Sequence, residues 1–121
     1  MSDERPPIAI GHVNMKTAKF GDTLAFMVKL GMRQVAKFDA LAVLELRGGT
    51  HLVLQADAEG ADQQVSFDLM VDDIDVQHAA LTGNGHSPTE INRGKIHATF
   101  EVREPAGNTI KFFDSHAMGA V

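Results

Sequence analysis

The side chains best able to do chemistry in this chain are its six histidines, Lys111 and a few strand carboxylates. An imidazole can shuttle protons near neutral pH or ligate a metal ion, so His12 and His51 draw attention first. The strand period of two groups His51, Val53 and Gln55 on one side of an extended run. The same rule groups Ser66 with Asp68 and Met70, and Thr109 with Lys111 and Phe113. If His12 and His51 converged with Asp68 or Glu101, the set could carry general acid–base or metal-assisted chemistry. The plainer reading of a strand histidine is a satisfied polar residue. His97 can face the same side as these groups, whereas His78, His86 and His116 read as surface or boundary residues. No Ser-His-Asp order or nucleophile elbow is present, and Ser66 has no identifiable base. The Gly48-Gly49 and Gly83–Gly85 clusters read as turns, since no phosphate-loop motif follows a strand.

The elements that must position these residues follow from periodicity. Ile8-Ala-Ile-Gly-His-Val-Asn-Met15 reads as an extended stretch. Phe20, Leu24, Met27 and Val28 then recur at helical spacing, and Gly31 is placed to stop the helix in a left-handed conformation. Strands are expected at Arg33–Phe38, Leu41–Leu46 and Thr50–Gln55. The polar run 56–63 reads as a linker. After it come a strand at Val65–Val71, a helix capped by Asp72 or Asp73 with Ile74, His78 and Leu81 on one face, and glycines at 83 and 85. Strands at His86–Asn92, Lys95–Arg103 and Asn108–Asp114 complete the order.

The second half repeats the first. A shift of 54 residues overlays His12 on Ser66, Phe20 on Ile74, Met27 on Leu81 and Gly31 on Gly85. Near the end the shift becomes 58, and Gly49–Gln55 overlays Gly107–Phe113. The sequence therefore predicts a single α+β domain over 1–121, built from two βαβββ modules at 8–57 and 64–116. Each module leaves one sheet face without a helix, and two such faces bound a cleft suited to a small ligand.

Composition narrows the function classes. The net charge of −5 argues against a nucleic-acid partner, because phosphate neutralisation needs clustered Lys and Arg. Neither cysteine nor tryptophan nor tyrosine occurs, so disulfides and thiolate zinc sites are excluded and base stacking would rest on Phe alone. The start MSDERPPIAI does not read as a signal peptide, and no apolar run reaches membrane-spanning length. A cytoplasmic protein without a membrane partner is expected.

The sequence resembles the vicinal oxygen chelate superfamily of glyoxalase I, fosfomycin-resistance enzymes, extradiol dioxygenases and bleomycin-resistance proteins. The residues that carry the likeness are Ile10-Gly-His-Val-Asn14, Leu30-Gly-Met32, Leu69-Met-Val-Asp-Asp73 and Arg103-Glu-Pro-Ala-Gly-Asn-Thr-Ile-Lys-Phe112, over about residues 8–115. The last is a variant of the family's Asp-Pro-Asp-Gly-Asn hairpin. The resemblance implies a curved mixed-sheet cleft, a homodimer, and a ligand site formed by His12, Asn14, His51, Gln55, Asp68, Thr99, Glu101 and Lys111.

Metal-dependent members hold a divalent ion with the first and fourth strands of each half, usually through His, Glu and Gln. Carried across, those four positions here are His12, Val53, Ser66 and Lys111. Only His12 is a competent ligand: Val53 has no donor, Ser66 is a poor neutral one, and Lys111 brings a cation where a carboxylate should stand. A slip along the strand recovers Gln55 but no His-and-carboxylate set. No metal and no other cofactor is therefore expected. Lys111 would either pair with Glu101 or Asp68 or hold a ligand carboxylate or phosphate. Met15, Met27, Met32 and Met70 fall on core or cleft faces, where thioethers suit an adaptable pocket or simply fill core. The function implied is metal-independent small-molecule binding, as in the bleomycin-resistance branch. The alternative is a glyoxalase-like lyase or isomerase with an altered metal or acid–base site.

Overall fold

The computed structural model describes residues 4–115; His116, the last residue of the second expected module, lies outside the described residues. Two four-stranded mixed sheets account for the strands. The first module runs β1 (His12–Thr17), α1 (Phe20–Leu30), β2 (Arg33–Lys37), β3 (Leu41–Glu45) and β4 (His51–Ala56), in sheet order β1-β4-β3-β2. The second runs β5 (Gln64–Val71), α2 (Ile74–Gly83), β6 (Asn92–Arg93), β7 (Ala98–Arg103) and β8 (Thr109–Asp114), in sheet order β5-β8-β7-β6. The repeated order is what the internal overlay predicts. In each sheet the first and last strands pair in parallel and the rest antiparallel.

Alternation along the strands decides what the site can contain. On β4, Leu52 and Leu54 are fully buried and pack with Leu24 and Met27 of α1, so His51, Val53 and Gln55 must face away from the helix. On β8, Ile110 and Phe112 are buried in the same way, which turns Thr109, Lys111 and Phe113 outward. Helix α1 ends at Gly31, whose φ of 118° needs a residue without Cβ. Its buried face includes Thr23 and Phe26 as well as Leu24 and Met27, while Val28 is 43% exposed. The apolar stripe is thus rotated from the one the periodicity implies, because Thr23 buries its hydroxyl in a hydrogen-bond network. Of the two candidate caps of α2, Asp73 does the work, accepting from Val76 N–H at 3.1 Å.

Three strands differ from expectation, the run expected at Lys95–Arg103 forming a strand only from Ala98. Ile8 and Ile10 are 82% and 67% exposed and precede β1, which starts only at His12. The run expected at His86–Asn92 is mostly irregular, with pairing confined to Asn92 and Arg93. Pro88 removes an amide donor from the middle of that run, and Thr89 instead bonds Glu101 through both its backbone N–H and its hydroxyl.

Buried polar bonds tie the two modules together. Lys19 N–H donates to Thr17 Oγ1, and Thr17 and Thr23 share a 2.6 Å hydroxyl contact. Thr23 donates onward to Glu104 Oε1 at 2.5 Å, which makes Thr17 the donor within the hydroxyl pair. Glu104 also accepts from Ala106 N–H, Asn108 N–H and Asn108 Nδ2. Asn108 in turn donates to the Gly60 carbonyl and accepts from Gln63 N–H. The hairpin that marks the family resemblance is thus the clamp between α1, the linker and β8.

Candidate functional site

The helix-free faces of the two sheets carry the expected ligand-site residues His12, Asn14, His51, Gln55, Asp68, Thr99, Glu101 and Lys111. On the first sheet, ladder partners align a polar row across four strands: His12 on β1, His51 on β4, Glu45 on β3 and Arg33 on β2. The row is physically connected. The His12 and His51 rings lie 5.8 Å apart between centroids, and His51 Nε2 is 3.6 Å from Glu45 Oε2. Arg33 pairs with the other Glu45 oxygen at 3.0 Å. His51 and Glu45 side chains are both less than a third exposed, so their attraction is less screened than that of a surface pair.

Glu45 was not among the residues singled out. The expected partners of the imidazoles, Asp68 and Glu101, lie on the other sheet, and no ion pair between them and His12 or His51 occurs among the described residues. The signal for Glu45 was present in the hairpin. Leu46 N–H bonds the Thr50 carbonyl across the Arg47-Gly48-Gly49 turn, which sets Glu45 opposite His51.

On the second sheet, Asp68, Lys111 and Glu101 form the corresponding row over β5, β8 and β7. The charges alternate, yet Lys111 makes no ion pair among the described residues. Its Nζ instead sits 6.0 Å from the Phe113 ring centroid, a cation–π contact. The pairing of Lys111 with Glu101 or Asp68 is therefore not the arrangement found. Thr99 lies opposite Phe113 in the same hairpin, and His97 packs edge-on to Phe113 with centroids 5.0 Å apart. The other two described histidines are structural. His78 meets the Thr89 carbonyl at 2.9 Å and the Phe100 ring edge-on, and His86 stacks edge-on against Phe26 of α1.

Two cavities flank the seam where β1 adjoins β5, and they share Ser66 as a lining residue. One, of about 680 Å³, has a mixed lining that includes Asn14, Lys16, Glu59, Gln64, Val65 and Ser66. The other, of about 700 Å³, is mostly apolar and is lined by Asp68 on its polar side. His12, His51, Gln55, Thr99, Glu101 and Lys111 line neither cavity and lie on the helix-free faces of the two sheets. The site residues are thus on one face but do not converge on a single point.

The positions that hold metal in the superfamily can be tested against this geometry. His12, Val53, Ser66 and Lys111 all face the helix-free side. Val53 offers no donor, and the Lys111 ammonium rests on an aromatic ring beside the Asp68 position. Among the described residues no group of three His, Asp or Glu side chains is placed to hold a metal ion. This donor set does not fit a divalent cation at that site.

Solved structures supply the comparison. No protein-family model matches the sequence, and no curated protein matches it closely. A lactoylglutathione lyase from Agrobacterium tumefaciens superposes with a TM-score of 0.79 at 21% identity, covering 96% of this chain and 100% of that one. An antibiotic-binding protein from a Streptomyces species gives 0.74 at 17% identity, over 91% of this chain and 98% of the other. A glyoxalase/bleomycin resistance protein from Streptomyces gives 0.71 at 18% identity, over 87% and 99%. The described residues contain no helix long and apolar enough to cross a membrane. With its paired βαβββ modules and its match along the whole length of these structures, the chain has the vicinal oxygen chelate fold of the glyoxalase and bleomycin-resistance proteins.

Proposed function

We propose that this protein binds a small molecule on the helix-free faces of its two sheets, without a metal ion at the position its fold relatives use. The observation that carries this reading is Lys111. Its ammonium stands at a position where the superfamily places a metal ligand and is drawn to the Phe113 ring, while Val53, the matching position on the first sheet, offers no donor. The rest of the surface suits ligand capture. Half-buried Leu41, Val43, Val53 and Phe113 supply apolar contact, while His12, Asn14, His51, Gln55, Asp68, Thr99 and Glu101 supply hydrogen-bonding groups. The similarity to an antibiotic-binding protein is consistent with such a role. A homodimer that brings the free face of one copy against that of another would complete the enclosure, and a cytoplasmic location suits a chain without cysteine.

Metal analysis of the purified protein, coupled to a thermal-shift ligand screen with and without chelator, tests the reading. The expected result is no stoichiometric metal and ligand shifts that chelator leaves unchanged. A nickel, zinc, iron or manganese ion bound through His12 would overturn it.

One observation favours a second reading, a lyase or isomerase working by acid–base chemistry. Glu45 Oε2 stands 3.6 Å from His51 Nε2, and a carboxylate beside an imidazole stabilises the imidazolium that proton transfer would form. Turnover of lactoylglutathione lyase substrates that His51→Ala abolishes would favour catalysis over binding alone.

A further inference from the structure

The apolar cavity at the seam has a property that the open sheet faces lack. Strand β5 turns Val65, Phe67, Leu69 and Val71 toward the helix side, yet all four are only partly buried. Their neighbours on β8, Ile110 and Phe112, are 0% and 1% exposed. The difference arises because β5 is the edge strand of its sheet and β8 an inner one; Phe67, Leu69 and Val71 line the 700 Å³ cavity together with Phe112 and with Val13, Met32 and Leu46 of the first module. A volume of this size accommodates a drug-sized ligand, and these side chains would gain burial on its entry.

The charges at this cavity select among ligands. Arg47 and Asp68 line it. Arg47 is already engaged from both terminal nitrogens by Asp72, at 3.1 and 2.8 Å. Asp68 makes no ion pair and no side-chain hydrogen bond among the described residues, since its ladder neighbour Lys111 is turned onto Phe113. An entering anion would have to displace Asp72 from Arg47 and would also meet the Asp68 carboxylate. An entering cation meets a neutral pair and one unpartnered negative charge. We propose that the seam cavity takes an organic cation with an aromatic or branched apolar body, its charge set against Asp68. This rests on the small-molecule-binding reading and narrows it to a place and a ligand class.

Three matched probes test it by calorimetric titration of the full chain: 2-naphthylmethylammonium, 2-naphthylmethanol and 2-naphthylacetate. The ammonium is expected to bind about fivefold more tightly than the alcohol, as befits a partly exposed ion pair. Asp68→Asn should erase that advantage, bringing the ammonium to the affinity of the alcohol, and Asp68→Lys should make the acetate the best ligand. Asp68 is exposed, so both variants are expected to fold, which their thermal unfolding verifies. Tightest binding of the acetate to the wild type, or an ammonium advantage that survives Asp68→Asn, overturns the proposal while leaving small-molecule binding intact. Failure of all three probes to bind also overturns it. The broader reading is judged separately, by the unrestricted ligand screen and the metal analysis.

Discussion

Thr23 on α1 donates a 2.5 Å hydrogen bond to Glu104 on the β7–β8 hairpin, joining residues 81 apart in the chain. Glu104 is 2% exposed and Thr23 fully buried, so the contact lies inside the protein and links the two modules. Among the described residues no lysine or arginine shares it. The carboxylate is satisfied entirely by neutral donors, two on each oxygen.

Glu104→Gln is therefore far from conservative. With the amide at Oε2, its N–H groups would point at Asn108 N–H and Nδ2, both donors; with it at Oε1, they would meet the Ala106 N–H and could be received only by Thr23, whose hydroxyl would have to reverse its bond. A loss of about 2–3 kcal/mol is expected in urea unfolding. Thr23→Val, which removes one donor and keeps the shape, should cost about 1–2 kcal/mol. Equal stability of Glu104→Gln and wild type would show that the clamp contributes nothing.

Gly60 makes the same junction sensitive to a single methyl group. A Cβ there would lie 2.4 Å from both the Lys16 carbonyl carbon and the Thr17 nitrogen, which are backbone atoms that cannot swing aside. The Gly60 carbonyl also accepts from Ala18 N–H and Asn108 Nδ2. Gly60→Ala should destabilise by about 1–3 kcal/mol or more. Gly21, inside α1, has open space around it, and Gly21→Ala should instead stabilise by about 0.5–1 kcal/mol. The opposite signs, read from thermal unfolding of the two variants, separate steric exclusion from helix propensity.

What the sequence disclosed and what it withheld follows from the range of each interaction. Strand alternation is local, so the helix-free placement of His12, Asn14, His51, Gln55, Asp68, Thr99, Glu101 and Lys111 was legible. Helix α1 was legible too, because Gly31 marks its end, but its facing was not. The burial of Thr23 depends on Glu104 far along the chain, which no periodicity encodes. The link of His51 to Glu45 required hairpin register, and the cation–π position of Lys111 required a rotamer. The irregular 86–91 stretch was readable in hindsight from Pro88, whose missing N–H no strand pattern can restore.

Arg47 and Asp72 offer a pH test. The Arg47 guanidinium, chiefly by hydrogen bonding and then by its charge, holds the Asp72 carboxyl below its ordinary value. The folded protein thus binds this proton less readily than the unfolded chain does. Stability from the pair is present above the ordinary carboxylate range and is lost as pH falls through the lowered value. Asp72→Asn should lower Tm slightly at neutral pH, and the difference should vanish once the pH has fallen through the lowered value. Because both side chains are exposed, added salt should shrink it as well. A difference that grows on acidification would reverse the sign and reject the account.

Lys111 gives the most direct test of the metal-free reading. Without an ion pair to break, Lys111→Met should change stability by no more than about 0.5 kcal/mol. Rebuilding the superfamily's ligand set beside His12, as Val53→Glu, Ser66→His and Lys111→Glu together, should create divalent-cation affinity that the wild type lacks. The new carboxylate at 111 would stand in register between Asp68 and Glu101, so the triple variant should melt lower than wild type in chelator. Nickel or zinc should then raise its Tm, since an ion bound only by the folded state stabilises it by mass action. A folded triple variant indifferent to metal would mean that these four side chains do not meet. Tight metal binding by the wild type would mean that the ammonium at position 111 yields to it.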